Sequence, residues 1–449
     1  MKRLFTLLLI SFAAMSCEMG DEKLDDFIGR DDSSVTTIAN NQIWYTSTDG
    51  KIVEPYSGEN NNYADALTTF GVNIVSNTYV NGKGVIEFEG DVTIIGDYAF
   101  SWCESLTSVT IPDSVTTIGV RAFNECSSLT SATIPDSVTT IGGFAFGWCD
   151  SLTSVTIPDS VTTIGNYAFS SCSNLTSVTI PDSVTKIGNM AFYGCENLQK
   201  FNSKYASEDG RCLIIEDALY AFAPAGLTEY TIPNSVTTIR GGAFAYCDNL
   251  TSVTIPNRVT KIEYGAFYSC SGLTSVTIPD SVAEIGDYAF SWCESLQEFN
   301  GKFASEDSRC LIVDGILNSF APAGLTKYTI ADSVTTIGDR AFQSCDSLTS
   351  VTIPDSVTTI GESAFYNCSS FTSVTIPDSV AEIGYWAFYD CVSLTSVYCK
   401  ATTPPAGDDH MFSKNASDRK IYVPMESVEA YKSASGWSNY ASDIVGYNF

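Results

Sequence analysis

The chain has 449 residues, with 52 Asp and Glu against 23 Lys and Arg, a formal charge of −29, 15 cysteines and one histidine. Neutralising phosphates takes clustered basic residues, so nucleic-acid binding is excluded. A single histidine removes most His-ligated metal sites, and 44% apolar with 17% charged residues describes a folded chain.

The N-terminus carries a positive start, Met1-Lys2-Arg3, then an apolar run from Leu4 to Ala14, then Met15-Ser16-Cys17. The run is too short to span a bilayer and predicts a cleaved export signal. Small residues followed by cysteine resemble the bacterial lipobox, which implies lipidation at Cys17; an ordinary secretory signal with an incidental cysteine is the alternative. The acidic residues Glu18, Asp21, Glu22, Asp25 and Asp26 resemble the tag that sends lipoproteins of some Gram-negative anaerobes to the outer face. Residues 1–17 are thus expected as a signal peptide and 18–40 as an acidic tether. The expected location is the cell surface, by a lipid anchor in the outer membrane. Residues 41–82 contain Ile43 to Thr48, then Asp49-Gly50, then Lys51 to Val53, a hairpin pattern that predicts a small N-terminal β cap.

From residue 83 to 400 the chain repeats. Cys103, Cys126, Cys149, Cys172 and Cys195 are 23 residues apart; the series resumes at Cys247, Cys270 and Cys293, and again at Cys345, Cys368 and Cys391. All eleven follow an Ala-Phe pair at fixed distance, from Ala99-Phe100 to Ala387-Phe388. Leu106, Val109 and Ile111 fill L-x-x-L-x-L places, the spacing of a leucine-rich solenoid. Val109 and Ile111 alternate with Ser108 and Thr110, predicting a strand with one buried face. Pro112 ends it, Asp113-Ser114 suits a turn, Val115 and Ile118 point inward again, and Gly119 permits the next corner. No coil buries these residues alone, so about fourteen coils stacked about 4.8 Å apart are expected to share one core.

The unit Leu106-Thr-Ser-Val-Thr-Ile-Pro-Asp-Ser-Val-Thr-Thr-Ile-Gly, closing on Ala122-Phe123 and Cys126, resembles the BspA-like bacterial leucine-rich repeat family. The resemblance implies a curved parallel β-solenoid on cell-surface proteins, some associated with adhesion to host matrix proteins or other cells, without naming one ligand. The fold class is therefore all-β: a right-handed parallel leucine-rich-repeat solenoid of 23-residue coils, with a small β cap at the N-terminus and a short β/α cap at the C-terminus.

Two coils, Leu198 to Leu227 and Leu296 to Leu325, are 29 residues long. Asp314-Gly315 in the second is a hairpin-turn signal, matched more weakly by Asp217-Ala218 in the first. The insertions are either binding loops or family spacers. In the C-terminal cap, residues 401–449, Ile421 to Pro424 repeats the strand element and Val428 to Trp437 is expected as a short helix.

The eleven ladder cysteines cannot all pair, because eleven is odd and stacked Cβ vectors run parallel, so free buried thiols are expected. The recurring corner aspartates are explained by turn formation more simply than by calcium; no metal and no cofactor are expected. Asp-Ser-Val at the same corner resembles an O-glycosylation acceptor of Bacteroides-type bacteria, making Ser114, Ser137, Ser160, Ser183, Ser281, Ser333, Ser356 and Ser379 candidate acceptors. His410 reads as a solvated loop residue, and no catalytic constellation is present; the chain reads as no enzyme. The strand-facing Ser/Thr pairs are nearly constant, whereas the slots around Ala-Phe vary and are aromatic: Tyr98, Trp102, Phe144, Trp148, Tyr167, Tyr193, Tyr246, Tyr268, Trp292, Tyr366, Trp386 and Tyr389. Tyr and Trp dominate binding hot spots, so these twelve are the candidate binding residues, expected on the outer arc of the solenoid. The expected function is adhesin-like binding of extracellular host or microbial proteins. Glycan capture through exposed Tyr and Trp is the alternative, and shielding of neighbouring coils competes with both.

Overall fold

The computed structural model describes residues 38–55 and 69–449. Cys17, the signal segment and nearly all of the tether lie outside these residues.

Each coil forms two short strands. One carries the S-V-T element, as in Ser154–Thr156 and Ser177–Thr179, paired in parallel and in register with Val155 opposite Val178. The other carries T-I, as in Thr140–Ile141 and Thr163–Ile164. Alternation places Val155 and Ile164 inward and leaves Ser154 and Thr156 outward. The third edge is a string of turns holding Ala-Phe and Cys, and it is hydrogen-bonded between coils as well. Tyr98 N–H donates to the Val120 carbonyl (2.9 Å), Phe100 to Ala122 (2.7 Å) and Trp102 to Asn124 (2.8 Å). The buried Phe rings stack down the core: Phe100 on Phe123 at 5.2 Å, Phe123 on Phe146 at 5.1 Å and Phe146 on Phe169 at 5.4 Å.

The glycine after T-I has a different role from the one its corner position suggests. A Cβ on Gly142 would stand 2.5 Å from the Gly119 carbonyl carbon, and one on Gly188 would stand 2.3 Å from Asn166 N. In these coils backbone touches backbone, so the seat needs the absence of a side chain and not a special dihedral; Arg240 and Glu263, the two residues with side chains at this seat, follow the first long coil.

The N-terminal cap departs from the expected hairpin. Gln42–Ser47 lies antiparallel to the first repeat strand, Leu106–Thr110, and covers its edge. Its other neighbour is Lys83–Phe88, also antiparallel, which forms a hairpin with Ile74–Val80 across Asn81-Gly82. Lys51 to Val53 is not a strand. The boundary expected at residue 83 thus falls inside the cap, and the parallel stack starts with Ile94–Ile95. At the other end Lys420–Pro424 and then Ile444–Tyr447 extend the last sheet in parallel, and the helix Val428–Ser433, shorter than expected, packs against them.

The long coils decide the shape of the stack. From Lys200 to Ala218, the two strand registers are 18 residues apart, where Ser154 to Thr163 in an ordinary coil takes 9. The extra length makes the antiparallel hairpin Cys212–Ile215 with Ala218–Phe222; the second long coil repeats it as Cys310–Val313 with Ile316–Phe320. Its tight turn falls at Glu216-Asp217, one residue before the expected pair, and at Asp314-Gly315; all four have positive φ, as the mirror-image hairpin turn demands. On the far side the chain runs from Phe222 through Ala-Pro-Ala-Gly straight to Leu227, omitting the Ala-Phe rung. Both strand ladders stop there: one sheet ends at Lys200–Asn202 and the next begins at Glu229–Thr231. The second long coil breaks them likewise, and the core divides into three clusters.

Candidate binding groove

From Ala99 to Cys399 the strand edge has thirteen rungs, but the Ala-Phe edge has eleven. A stack shorter on one edge bends toward that edge. Across the first long coil, Tyr193 and Tyr246 meet edge to face at 5.1 Å, and Arg240 donates to Asn189 Oδ1 at 2.9 Å. Across the second, Ser291 reaches the Arg340 carbonyl at 3.4 Å. The aromatic slots therefore lie on the inside of both bends, not on the outer arc.

The curvature brings distant coils together. Tyr264 Oη lies 3.8 Å from Met190 Sδ, 74 residues away. Burial, then the neighbouring phenols of Tyr264 and Tyr288, push Tyr167 up to about 12. The result is one groove of about 670 Å³ lined by ten aromatic rings. Phe144, Trp148, Tyr167 and Tyr193 come from the first block, Tyr264, Tyr268, Tyr288 and Trp292 from the second, Tyr366 and Trp386 from the third. The rings run in contact: Phe144 to Tyr167 at 4.6 Å, Tyr167 to Tyr193 at 6.2 Å, Tyr246 to Tyr268 at 5.9 Å and Tyr268 to Trp292 at 6.4 Å.

Eight of the twelve expected binding residues thus share one groove. Tyr246 lines a small void at the first bend, Tyr389 stacks on Tyr366 at 5.4 Å, and Tyr98 and Trp102 stand outside on the first coil, Trp102 at 58% exposure. The sequence reading missed Tyr264 and Tyr288, and with them Met190 and Arg340. Tyr288 occupies the same place before Ala-Phe as Tyr98, so the period held the signal for it; Tyr264 is displaced one residue by Gly265.

The backbone explains why these slots are unusual. The residue before each Ala-Phe and the residue before each ladder Cys have φ between 45° and 70° in all eleven rungs. In the rung that starts at Gly96, Ala99 N–H returns to the Gly96 carbonyl and Cys103 N–H to the Phe100 carbonyl, which puts Tyr98 and Trp102 at the third place of tight turns. Glycine is the usual occupant of such seats, and a bulky side chain there costs about 1–2 kcal/mol. Only Gly194, Gly242 and Gly265 take the unstrained option. Six of the ten groove rings (Phe144, Trp148, Tyr167, Tyr288, Trp292 and Trp386) are thus carried on a backbone that disfavours them.

The remaining candidates have packing partners. Ser137 Oγ donates to the Val115 carbonyl (2.5 Å) and Ser160 to Val138 (2.7 Å); Ser114, Ser183, Ser281, Ser356 and Ser379 do the same with the coil before them. Ser333, next to the second long-coil hairpin, is exposed. All fourteen described cysteines are free and buried. Ladder thiols donate to the Phe carbonyl of the preceding coil, Cys126 to Phe100 at 3.0 Å and Cys149 to Phe123 at 3.2 Å, and burial pushes both far above the ordinary thiol value. His410, the loop residue, sits beside Asp408 at 3.4 Å, and buried Cys399 faces Tyr431 Oη at 3.1 Å. Among the described residues no metal-binding cluster occurs and no helix is long and apolar enough to cross a membrane.

The model of the BspA-type leucine-rich repeat region matches in six copies over residues 86–207, 217–306 and 317–434. The chain belongs to the BspA-type leucine-rich repeat family. Both gaps in the match fall on the long-coil hairpins. The BspA-type chain is similar to a leucine-rich cell surface protein of Faecalibacterium prausnitzii, at 27% identity over 83% of this chain and 86% of that one, with a TM-score of 0.44. It is also similar to a leucine-rich repeat protein of Eubacterium ventriosum (26% identity, 73% and 95% covered, TM-score 0.49) and to one of Bacteroides ovatus (25%, 84% and 92%, TM-score 0.35). No curated protein matches.

Proposed function

We propose that this chain is a non-enzymatic, adhesin-like surface protein that captures extracellular partners in the aromatic groove. The observation that supports this most is the convergence of ten rings from three blocks on one groove of about 670 Å³, a size that suits a bound ligand. Half-exposed aromatic clusters of this kind supply the anchors of binding surfaces. The Ser/Thr sheet, by contrast, repeats one pattern and offers no site distinct from its neighbours.

The lipobox resemblance supports a tether at Cys17 that holds the groove at the outer-membrane surface. A Cys17→Ser chain is then expected in the medium instead of the membrane fraction, and a membrane-bound variant would count against the anchor.

The groove is tested by replacing Trp148 and Trp386 together with Ala and measuring retention of the full chain on matrix proteins, glycans and cells. Each anchor contributes about 2 kcal/mol, so retention is expected to fall at least 30-fold. Unchanged retention would refute the assignment.

A further inference from the structure

Past the last repeat, the strand face that carries Ser and Thr changes character. Thr375 is followed in register by Tyr398, then Tyr422, then Val445. Tyr398 and Tyr422 stack at 4.7 Å, and Tyr447 meets them edge to face at 5.6 and 5.5 Å. Val445, Tyr447 and Phe449 are all exposed.

The strand that bears Val445 and Tyr447, Ile444–Tyr447, is the last of a six-stranded sheet. Among the described residues it pairs only with Lys420–Pro424. Ile421 N–H donates to the Asp443 carbonyl (2.9 Å), so alternation turns the N–H and C=O of Ile444 and Gly446 off the edge. A Cβ on Gly446 would point off the face of the sheet and stand 2.7 Å from Met425 Sδ and 3.2 Å from Val428 Cγ2. The helical segment of the cap therefore sits beneath this strand and not along its edge. Proteins guard such edges with Lys, Pro, a bulge or a covering strand. At the other end of the stack Gln42–Ser47 covers Leu106–Thr110; the run Ile-Val-Gly-Tyr has none of these devices.

We infer that this edge pairs with the same edge of a second copy, antiparallel about a two-fold axis. A strand edge is its own complement under that symmetry. Charge also permits it here: the chain as a whole carries −29, but residues 401–449 hold six acidic and four basic residues, and Asp443 is bound by Arg419 at 2.6 Å. The exposed edge at Ile74–Val80 is less suited, because Ser76 and Asn73 hold the carboxylates of Glu87 and Glu89 beside it. The free backbone groups fix the register. Ile444 of each copy exchanges hydrogen bonds with Gly446 of the other, Val445 meets its own mate on the axis, and Tyr447 covers that mate diagonally. Two six-stranded sheets become one of twelve strands. The pair presents two aromatic grooves, which adds avidity on a surface that offers two ligands; the pairing itself does not depend on what the groove holds.

The seam is small, so a weak dimer that forms in the micromolar range is expected from sedimentation velocity of the full chain. Val445→Lys sets like charges against each other on the axis and should raise the dissociation constant at least about tenfold. The melting temperature of this variant should match the parent's, since Val445 is exposed in the single copy. Val445→Cys supplies a positive test. Paired residues at this register have Cα atoms about 4.5 Å apart, inside disulfide range, and all fourteen described cysteines are buried. Under mild oxidation this variant should form a covalent dimer that neither the parent nor Val75→Cys forms. A chain that stays monomeric throughout, a dimer that Val445→Lys leaves intact, or crosslinking at Val75→Cys in preference to Val445→Cys would overturn the pairing.

Discussion

At the residue scale, repetition turns small constraints into rules. Gly142 has a neighbouring coil's backbone where its Cβ would be. Gly142→Ala therefore forces coils apart and should cost about 1–3 kcal/mol, the penalty of overpacking, read as a lowered unfolding midpoint in urea. Arg240 occupies the equivalent seat after the first long coil, where the rung beneath is missing, and uses the space to reach Asn189. The thiol ladder obeys a second rule. Cys126, Cys149 and Cys172 are pushed well above the ordinary value of 9.0, first by desolvation. The fold thus favours the protonated thiol, so its contribution is complete below pH 9.0 and drains away as pH rises beyond it. Unfolding midpoints should hold from neutrality to that pH and fall above it, and a thiol reagent should label the ladder only after denaturation. Rapid labelling of the native chain would contradict burial. Both rules were partly legible in the sequence: the cysteine period showed one core position, but glycine's role needed the neighbouring coil, which only stacking supplies.

At the element scale, the long coils act through what they omit. The sequence showed two longer coils and a hairpin signal in each. It did not show that the far edge is three residues shorter, because a total of 29 hides a gain of nine and a loss of three. Since the rings sit on the shortened edge, their placement on the outer arc was wrong for the same reason. The N-terminal cap differs similarly: Asp49-Gly50 has the local hairpin pattern, but Asn81-Gly82 is the turn that joins two paired strands. Exchanging Leu198 to Gly226 for a copy of Leu175 to Asn197 would restore a full rung between Phe192 and Phe244. The expected result is a straighter, longer particle in small-angle scattering and loss of groove binding; an unchanged radius of gyration would contradict the bend. The same breaks leave the blocks joined without continuous strand pairing, which makes the long coils the places where the groove's width is set.

At the scale of the whole molecule, the totals take on different meanings. The segment before the described residues, with seven acidic and four basic residues, and the eight repeated corner aspartates supply only part of the charge of −29, and the groove's one charged lining residue, Arg340, is paired. The solenoid class and the repeat family were readable from one 23-residue unit, because the period dictates strand, corner and core together. The groove was not, since it depends on contacts such as Tyr264 with Met190, 74 residues apart, that no local pattern encodes. The central claim is that the inside of the bend, and no other face, holds the partner. Hydroxyl-radical footprinting of the full chain, free and then seated on cells or matrix that retain it, tests this whatever the chemistry of the ligand. Protection of Trp148, Trp292 and Trp386 with Trp102 still oxidised is the predicted result. Protection of Trp102 or of the Ser/Thr strand face, with the three groove tryptophans unshielded, would contradict it.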